Sequence, residues 1–388
     1  MGARPERHES PAPWRPDRNQ AALLAALLAD DDDGRLREWA ATAGPAVAAV
    51  LELLPFAYGR LVALAPDAPV TSVAREAHLV TAQANLLRIH RLVTAARALD
   101  AAGIRCVALK GAAVLWQHAG YGDRPMLDVD LLVDPAGSAR ALEVLRQLGW
   151  LPIGDASPAM LQRRMRVDHA LTLVSGDGLA SLDLHWAVAG GVSGEATRRC
   201  LDNAITVRRQ GAALPVPSAT DLLVQTLVHA VQPSGRSSCR WLLDASVITE
   251  GAGDRLDWNA VCAWAIREST TIRVHEALDA LVAVAPGRVP SDVRPRLAAA
   301  TASPRERAEV ALFRAAAPHP PLRVLRWHWH RFHRLRPNDR EWAGRPAWIG
   351  FLEYLRLRSA LRSTARSPVA PAAPGGASGS GDGPHPVR

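Results

Sequence analysis

The spacing of apolar positions changes period along the chain, and the changes divide it. From residue 18 to 102 apolar residues recur at helical intervals, which predicts helices throughout an N-terminal region. Ala21–Ala29 is an alanine-rich apolar run, and Asp30–Asp33 is an acidic loop. Ala77–Leu99 predicts one long amphipathic helix with Leu79, Leu86, Ile89 and Val93 on its apolar face. The period then shortens. Ile104–Leu109 is an apolar run of strand length, and Leu131-Leu132-Val133 is continuous, as for a strand covered on both faces. Ser181-Leu182-Asp183-Leu184-His185 alternates polar and apolar, the pattern of a half-buried strand. Helical spacing returns at Pro217-Ser218-Ala219-Thr220-Asp221, a helix start with Ser218 as N-cap. Leu222, Leu223, Thr226, Leu227 and Ala230 then form a stripe that sets His229 near the core edge. A histidine there holds a neighbouring carboxylate or contacts substrate, and Asp244 is the expected partner.

These shifts predict a disordered stretch at 1–17, an N-terminal helical region at 18–102 and a sheet-containing core at 103–217. A helical domain at 218–316, a basic segment at 317–363 and a disordered tail at 364–388 complete the chain. The basic segment spans the richest cationic run, with Arg326, Arg331, Arg334 and Arg336 among tryptophans and histidines at 322–348. Such a run suits RNA, through phosphate contacts and base stacking, or an anionic membrane surface. Leu322, Leu325, Trp329 and Phe332 also share one helical face, which predicts a helix docked on the core with its arginines solvated.

Composition narrows the classes. The 388 residues with 48% hydrophobic content suffice for a large core in two or three domains. A net charge of +8 favours acidic partners such as nucleotides, acidic peptides and nucleic acid. Cys106, Cys200, Cys239 and Cys262 have no metal spacing, which predicts free thiols and a cytoplasmic protein. No apolar run reaches membrane-spanning length, and the first residues lack a signal-type core. Heavy alanine and arginine usage points to a GC-rich bacterial genome.

Against that composition one residue stands out. Lys110 is the only lysine; every other one of the 46 Lys+Arg residues is arginine. Lysine is a compact point charge and arginine a planar fork, so the two differ at a phosphate site. Lys110-Gly111 joins the Ile104–Leu109 strand to a helix beginning Ala112-Ala113-Val114, and free N–H groups at such a helix start bind anions. Asp128 and Asp130 follow at i and i+2, so both project from one strand face. Asp128 is equally read as a turn residue after Pro125. Two carboxylates on one face repel unless a cation lies between them, and Mg²⁺ is the usual solution. Asp183 would complete a three-carboxylate cluster suited to two metals, with His185 orienting Asp183 or touching substrate. On this reading Asp130→Asn relieves repulsion in the metal-free protein.

The ordered set Leu109-Lys110-Gly111, Arg124-Pro125, Asp128-Val129-Asp130 and Asp183-Leu184-His185-Trp186 resembles the nucleotidyltransferase superfamily related to DNA polymerase β. It is most similar to the bacterial "uncharacterised nucleotidyltransferase" family. His229 and Trp241-Leu242-Leu243-Asp244 extend the resemblance, which covers roughly residues 80 to 250. The resemblance implies an α+β fold: a mixed β-sheet flanked by helices, with N-terminal helices and a C-terminal helical domain. It implies Asp128, Asp130 and Asp183 as catalytic metal ligands for two Mg²⁺ or Mn²⁺ ions. It also implies Lys110, Gly111 and Arg124 as nucleotide-binding residues, with His185, His229 and Asp244 on the substrate side. One departure matters: the superfamily's phosphate-gripping serine after the glycine is Ala112 here.

The activity implied is transfer of NMP from an NTP to a hydroxyl of a small molecule, peptide or protein, as in natural-product tailoring. The alternatives are an RNA-directed or antitoxin-type nucleotidyltransferase using the basic segment, and a catalytically silent nucleotide-binding scaffold.

Overall fold

A computed structural model describes residues 14–28, 33–44, 47–190, 192–231, 238–314 and 320–364. Most of the expected disordered ends and of the acidic loop lies outside those residues. Short helices, including Arg18–Leu28 and Leu54–Leu64, lead into a helix of 33 residues, Pro69–Ala101. It starts earlier than the apolar stripe suggested, at Pro69, whose missing N–H costs nothing in the first turn.

The buried face of this helix also differs in part from the expected one. Ile89 and Val93 face inward as expected, together with Val70, Ala74, Thr81, Asn85, Leu92 and Leu99, whereas Leu79 and Leu86 are exposed. A polar residue, Asn85, takes the inward place beside Leu86. Its Nδ2 donates to the carbonyls of Tyr121 at 2.8 Å and Arg124 at 2.7 Å, tying the helix to the loop before the acidic strand.

Among the described residues seven strands follow: β1 (Cys106–Leu109), β2 (Val129–Val133), β3 (Trp150–Pro152), β4 (Ala170–Ser175), β5 (Ser181–His185), β6 (Ile205–Arg209) and β7 (Ala212–Val216). The first five form a mixed sheet in the order β1-β2-β5-β4-β3, and β6-β7 form a hairpin. The architecture is therefore α+β, a mixed sheet among many helices. β1 and β2 are buried along their whole length, so their apolar runs fit strands covered on both sides. β5 pairs parallel to β2 and antiparallel to β4, which places it at the centre.

Ser218 caps the next helix, Ala219–Ala230, as expected: its Oγ accepts from the Asp221 N–H at 3.2 Å. The helix Trp241–Ala252 packs against it. One continuous apolar core runs from Trp14 through the sheet to Leu297, so the N-terminal helices, the sheet and the helical part share an interior. A second, small core joins Met160 and Val167 to Phe332, Trp342, Tyr354 and Leu361.

That second core seats the basic segment, in a way the sequence pattern did not predict. In the helix Pro320–Leu335, Phe332 and His328 are buried while Leu322, Leu325 and Trp329 are exposed. Arg326 is exposed, but Arg331 and Arg334 are not part of a solvated face. Arg331 donates to Asp168 at 2.8 Å, and Arg334 pairs with Glu309 and caps the carbonyls of Glu268 and Ser269, each at 3.0 Å. From the last helix, Ala347–Thr364, Arg358 reaches Asp168 at 2.9 Å. Arginine stems cover apolar surface while their planar heads find acceptors, so the helix docks by ion pairs as much as by apolar contact. Among the described residues, no helix is long and apolar enough to cross a membrane, and the four cysteines are free and buried.

Candidate active site

The register of three strands builds the site. Antiparallel pairing of β1 with β2 sets Leu109 opposite Asp130, and parallel pairing of β2 with β5 sets Asp130 beside Asp183. Lys110 is the next residue after Leu109, so the turn out of β1 delivers its side chain to the Asp130 carboxylate. The Lys110 Nζ–Asp130 Oδ1 distance is 2.5 Å. The same oxygen accepts from His185 Nε2 at 2.8 Å. His185 thus orients Asp130, not Asp183 as one reading of the alternating strand had it.

Asp130, Asp183 and His185 each present a ligand atom, and these atoms lie within 4.8 Å of one another. Asp130 and His185 are buried and Asp183 is half-buried, so the cluster has one accessible side. Asp128 sits one residue ahead of β2 and is exposed, outside this close set. It still feels the cluster: desolvation first, then the charges of Asp130 and Asp183, push its carboxyl above the usual carboxylate range. Desolvation pushes the Asp130 carboxyl up too, but Lys110 and His185 outweigh it and hold that group well below the usual range. Burial works against the Lys110 ammonium, yet Asp130, Asp183 and Asp128 together raise its pKa.

The donor set fits a hard divalent cation. Asp130 and Asp183 offer adjacent carboxylates on neighbouring strands, and the repulsion felt at Asp128 is what a cation would relieve. His185 is committed to Asp130, the role of a residue that orients a ligating carboxylate.

Lys110 has φ 48°, left-handed backbone that a non-glycine residue seldom adopts. It opens the helix Lys110–His118, with Gly111 second. Gly111 does not simply leave the backbone open to phosphate. A Cβ there would collide with the guanidinium of Arg124, so the glycine makes room for that side chain. Arg124 in turn grips Asp244 with both prongs of its fork, Nε–Oδ1 at 2.7 Å and Nη2–Oδ2 at 2.8 Å. Asp244 therefore partners Arg124, correcting its expected pairing with His229. His229 is exposed, beyond the core edge where the apolar stripe placed it. Part of its ring is nonetheless packed away from water, and that desolvation, followed by the Lys110 ammonium, lowers its pKa.

Two neighbours carried no sequence signal. His169 stands 5.2 Å from His185, ring centre to ring centre, and desolvation with the charges of His185 and Arg331 keeps it neutral. Asn85, whose bonds fix the Arg124 loop, showed only as a polar residue in a helical run.

The motifs on these elements match the model of the uncharacterised nucleotidyltransferase family over residues 45–286, more than half of the chain. The chain belongs to this family. It is accordingly a transferase of phosphorus-containing groups, and membership implies an NTP substrate. The match ends before the Pro320–Leu335 helix, so the arginine-docked C-terminal segment lies outside it. No curated protein matches the chain.

Proposed function

We propose that this nucleotidyltransferase moves an NMP from an NTP to a hydroxyl of a small molecule, peptide or protein, using two Mg²⁺ or Mn²⁺ ions. The observation that supports it most is the side-by-side register of Asp130 and Asp183, with Lys110 at the start of a helix beside them. Asp130 and Asp183 would hold the ions, with Asp128 joining at the mouth of the site. Bound there, they would neutralise the triphosphate and lower the pKa of the acceptor hydroxyl.

The residues of the chain supply the rest. Asp183, on the accessible side, receives the acceptor hydroxyl and its proton. Lys110 and the free N–H groups of the helix start, including that of Gly111, steady the phosphates. Arg124, locked by Asp244, keeps the Gly111 turn in place and presents its Nη1 edge beside it. His185 aims Asp130, and His229 lines the outer edge. The acceptor oxygen bonds to the α-phosphorus, the bond from that phosphorus to the bridging oxygen breaks, and pyrophosphate leaves. Most of the rate comes from positioning and charge neutralisation.

A small-molecule or peptide acceptor, as in natural-product tailoring, fits better than RNA. Arg331 and Arg334, central to the basic run, are spent on Asp168 and Glu309 rather than presented outward. The buried free thiols suit a cytoplasmic setting. The test is incubation with Mg²⁺ and each α-labelled NTP, with and without bacterial lysate, followed by separation of small molecules, protein and RNA. Label is expected in small molecules or protein; label in RNA alone would favour the RNA-directed reading.

A further inference from the structure

We infer that Lys110 is the resident counter-cation of the site: it occupies Asp130 until a triphosphate draws its ammonium away, so that divalent metal is admitted with the nucleotide and not before it. This rests on the metal-dependent transfer proposed above. Four observations lead to it. Lys110 is the only lysine in the chain. Its Nζ takes the very oxygen, Asp130 Oδ1, that already accepts from His185 Nε2. That carboxylate belongs to the cluster best placed to ligate an ion. And Arg124, the nearby alternative cation, is committed through two hydrogen bonds to Asp244.

The consequence is competition. An ion at the usual distance of about 2.1 Å from Asp130 Oδ1 would lie within about 4.6 Å of Nζ, given the 2.5 Å contact. Two cations on one largely buried oxygen repel strongly, because water screens them little. A bare ion therefore binds at the expense of the Lys110 contact. A nucleotide changes the balance by offering Lys110 several phosphate oxygens at the same helix start. The backbone fits a group held in reserve. Left-handed conformation at a lysine persists where its surroundings enforce it, and here Asp130 holds the tip while Arg124 fills the space beside Gly111.

A single lysine gives a clean probe. The chain grown with ¹⁵Nζ-lysine has one lysine side-chain NMR signal. Mg²⁺ alone is expected to leave it in place, and Mg²⁺ with α,β-methylene NTP analogues is expected to move it. Lys110→Met should bind Mn²⁺ in the absence of nucleotide at least ten times more tightly than the parent, read by electron paramagnetic resonance. Lys110→Gln should behave alike, and adding Asp183→Asn should remove the gain. A lysine signal displaced by Mg²⁺ alone, or equal Mn²⁺ affinity in the folded Lys110 variants and the parent, overturns the inference while leaving the transfer reading standing. Failure of every protein to bind Mn²⁺, even with the analogues, overturns both.

Discussion

Asp130 is the residue on which most of the site converges. From the sequence it looked like one of several mutually repelling acids, so that its neutralisation would relax the apoprotein. The structure reverses that sign, because Asp130 already has two partners, Lys110 and His185. Asp130→Asn leaves a largely buried ammonium without its counter-ion, and we expect it to destabilise the metal-free protein by about 3 kcal/mol. Chemical denaturation checks this, and an unchanged or higher midpoint would mean the ion pair contributes nothing. Lys110→Arg probes the same contact from the other side. The planar fork is bulkier than an ammonium, and the Arg124 guanidinium already fills the space beside Gly111. Turnover should fall about tenfold or more, about 1.4 kcal/mol of transition-state stabilisation. Equal turnover would show that the sole lysine is an accident of an arginine-rich composition.

At the scale of elements, what holds the site is the joint between the sheet and the helical part. Asn85 fixes the loop carrying Arg124 to the long Pro69–Ala101 helix, and Arg124 bridges to Asp244 in the first turn of the Trp241–Ala252 helix. Asp244→Asn removes the charge partner of a buried guanidinium and should lower stability by about 3 kcal/mol. It should also loosen the Gly111 turn, so the KM for NTP is expected to rise together with the loss of Tm. A normal KM in a destabilised variant would confine the bridge to a structural role. The strands that carry the site, β1, β2 and β5, were legible, whereas β3, β4, β6 and β7 were not anticipated. The unbroken apolar run of β2, the alternation in β5 and the Ser218 cap all have local causes. What was not legible is which carboxylate meets which cation. The Asp130–Lys110 and Arg124–Asp244 contacts depend on strand order and on long-range closure, which no local pattern encodes. The face of the long helix was only half right, with Ile89 and Val93 buried but Leu79 and Leu86 exposed, for a related reason: Asn85 faces inward because its amide satisfies two loop carbonyls, a tertiary cause that leaves no mark on hydropathy.

For the whole molecule, the same lesson applies to charge. A net +8 with an arginine-rich C-terminus suggested an outward cationic face, yet the docking of the Pro320–Leu335 helix consumes Arg331 and Arg334 in internal pairs. This gives the docking a pH dependence. Burial pushes the Glu309 carboxyl up, but Arg334 and Arg273 outweigh it and hold its pKa below the ordinary value. A depressed carboxylate contributes stability that is fully present above the unfolded pKa of about 4.3 and is lost as pH falls through the lower folded value. Hydrogen exchange in the 320–335 helix, corrected for the intrinsic rate, should therefore stay constant from pH 7 to 5 and rise only in stronger acid. Glu309→Gln should bring faster exchange already at pH 7. A rise between pH 7 and 5 in the parent would place the responsible group elsewhere.

The central claim is that clustered Asp130 and Asp183 direct attack at the α-phosphorus. An NTP labelled with ³²P at either the α or the γ position separates the outcomes in one assay, run with Mg²⁺ and lysate on the parent and on Asp183→Asn. The account predicts α-label in the acceptor, γ-label in released pyrophosphate, and at least a hundredfold loss of transfer in Asp183→Asn. Transfer of the γ-label to the acceptor, or undiminished α-transfer in Asp183→Asn, would contradict it.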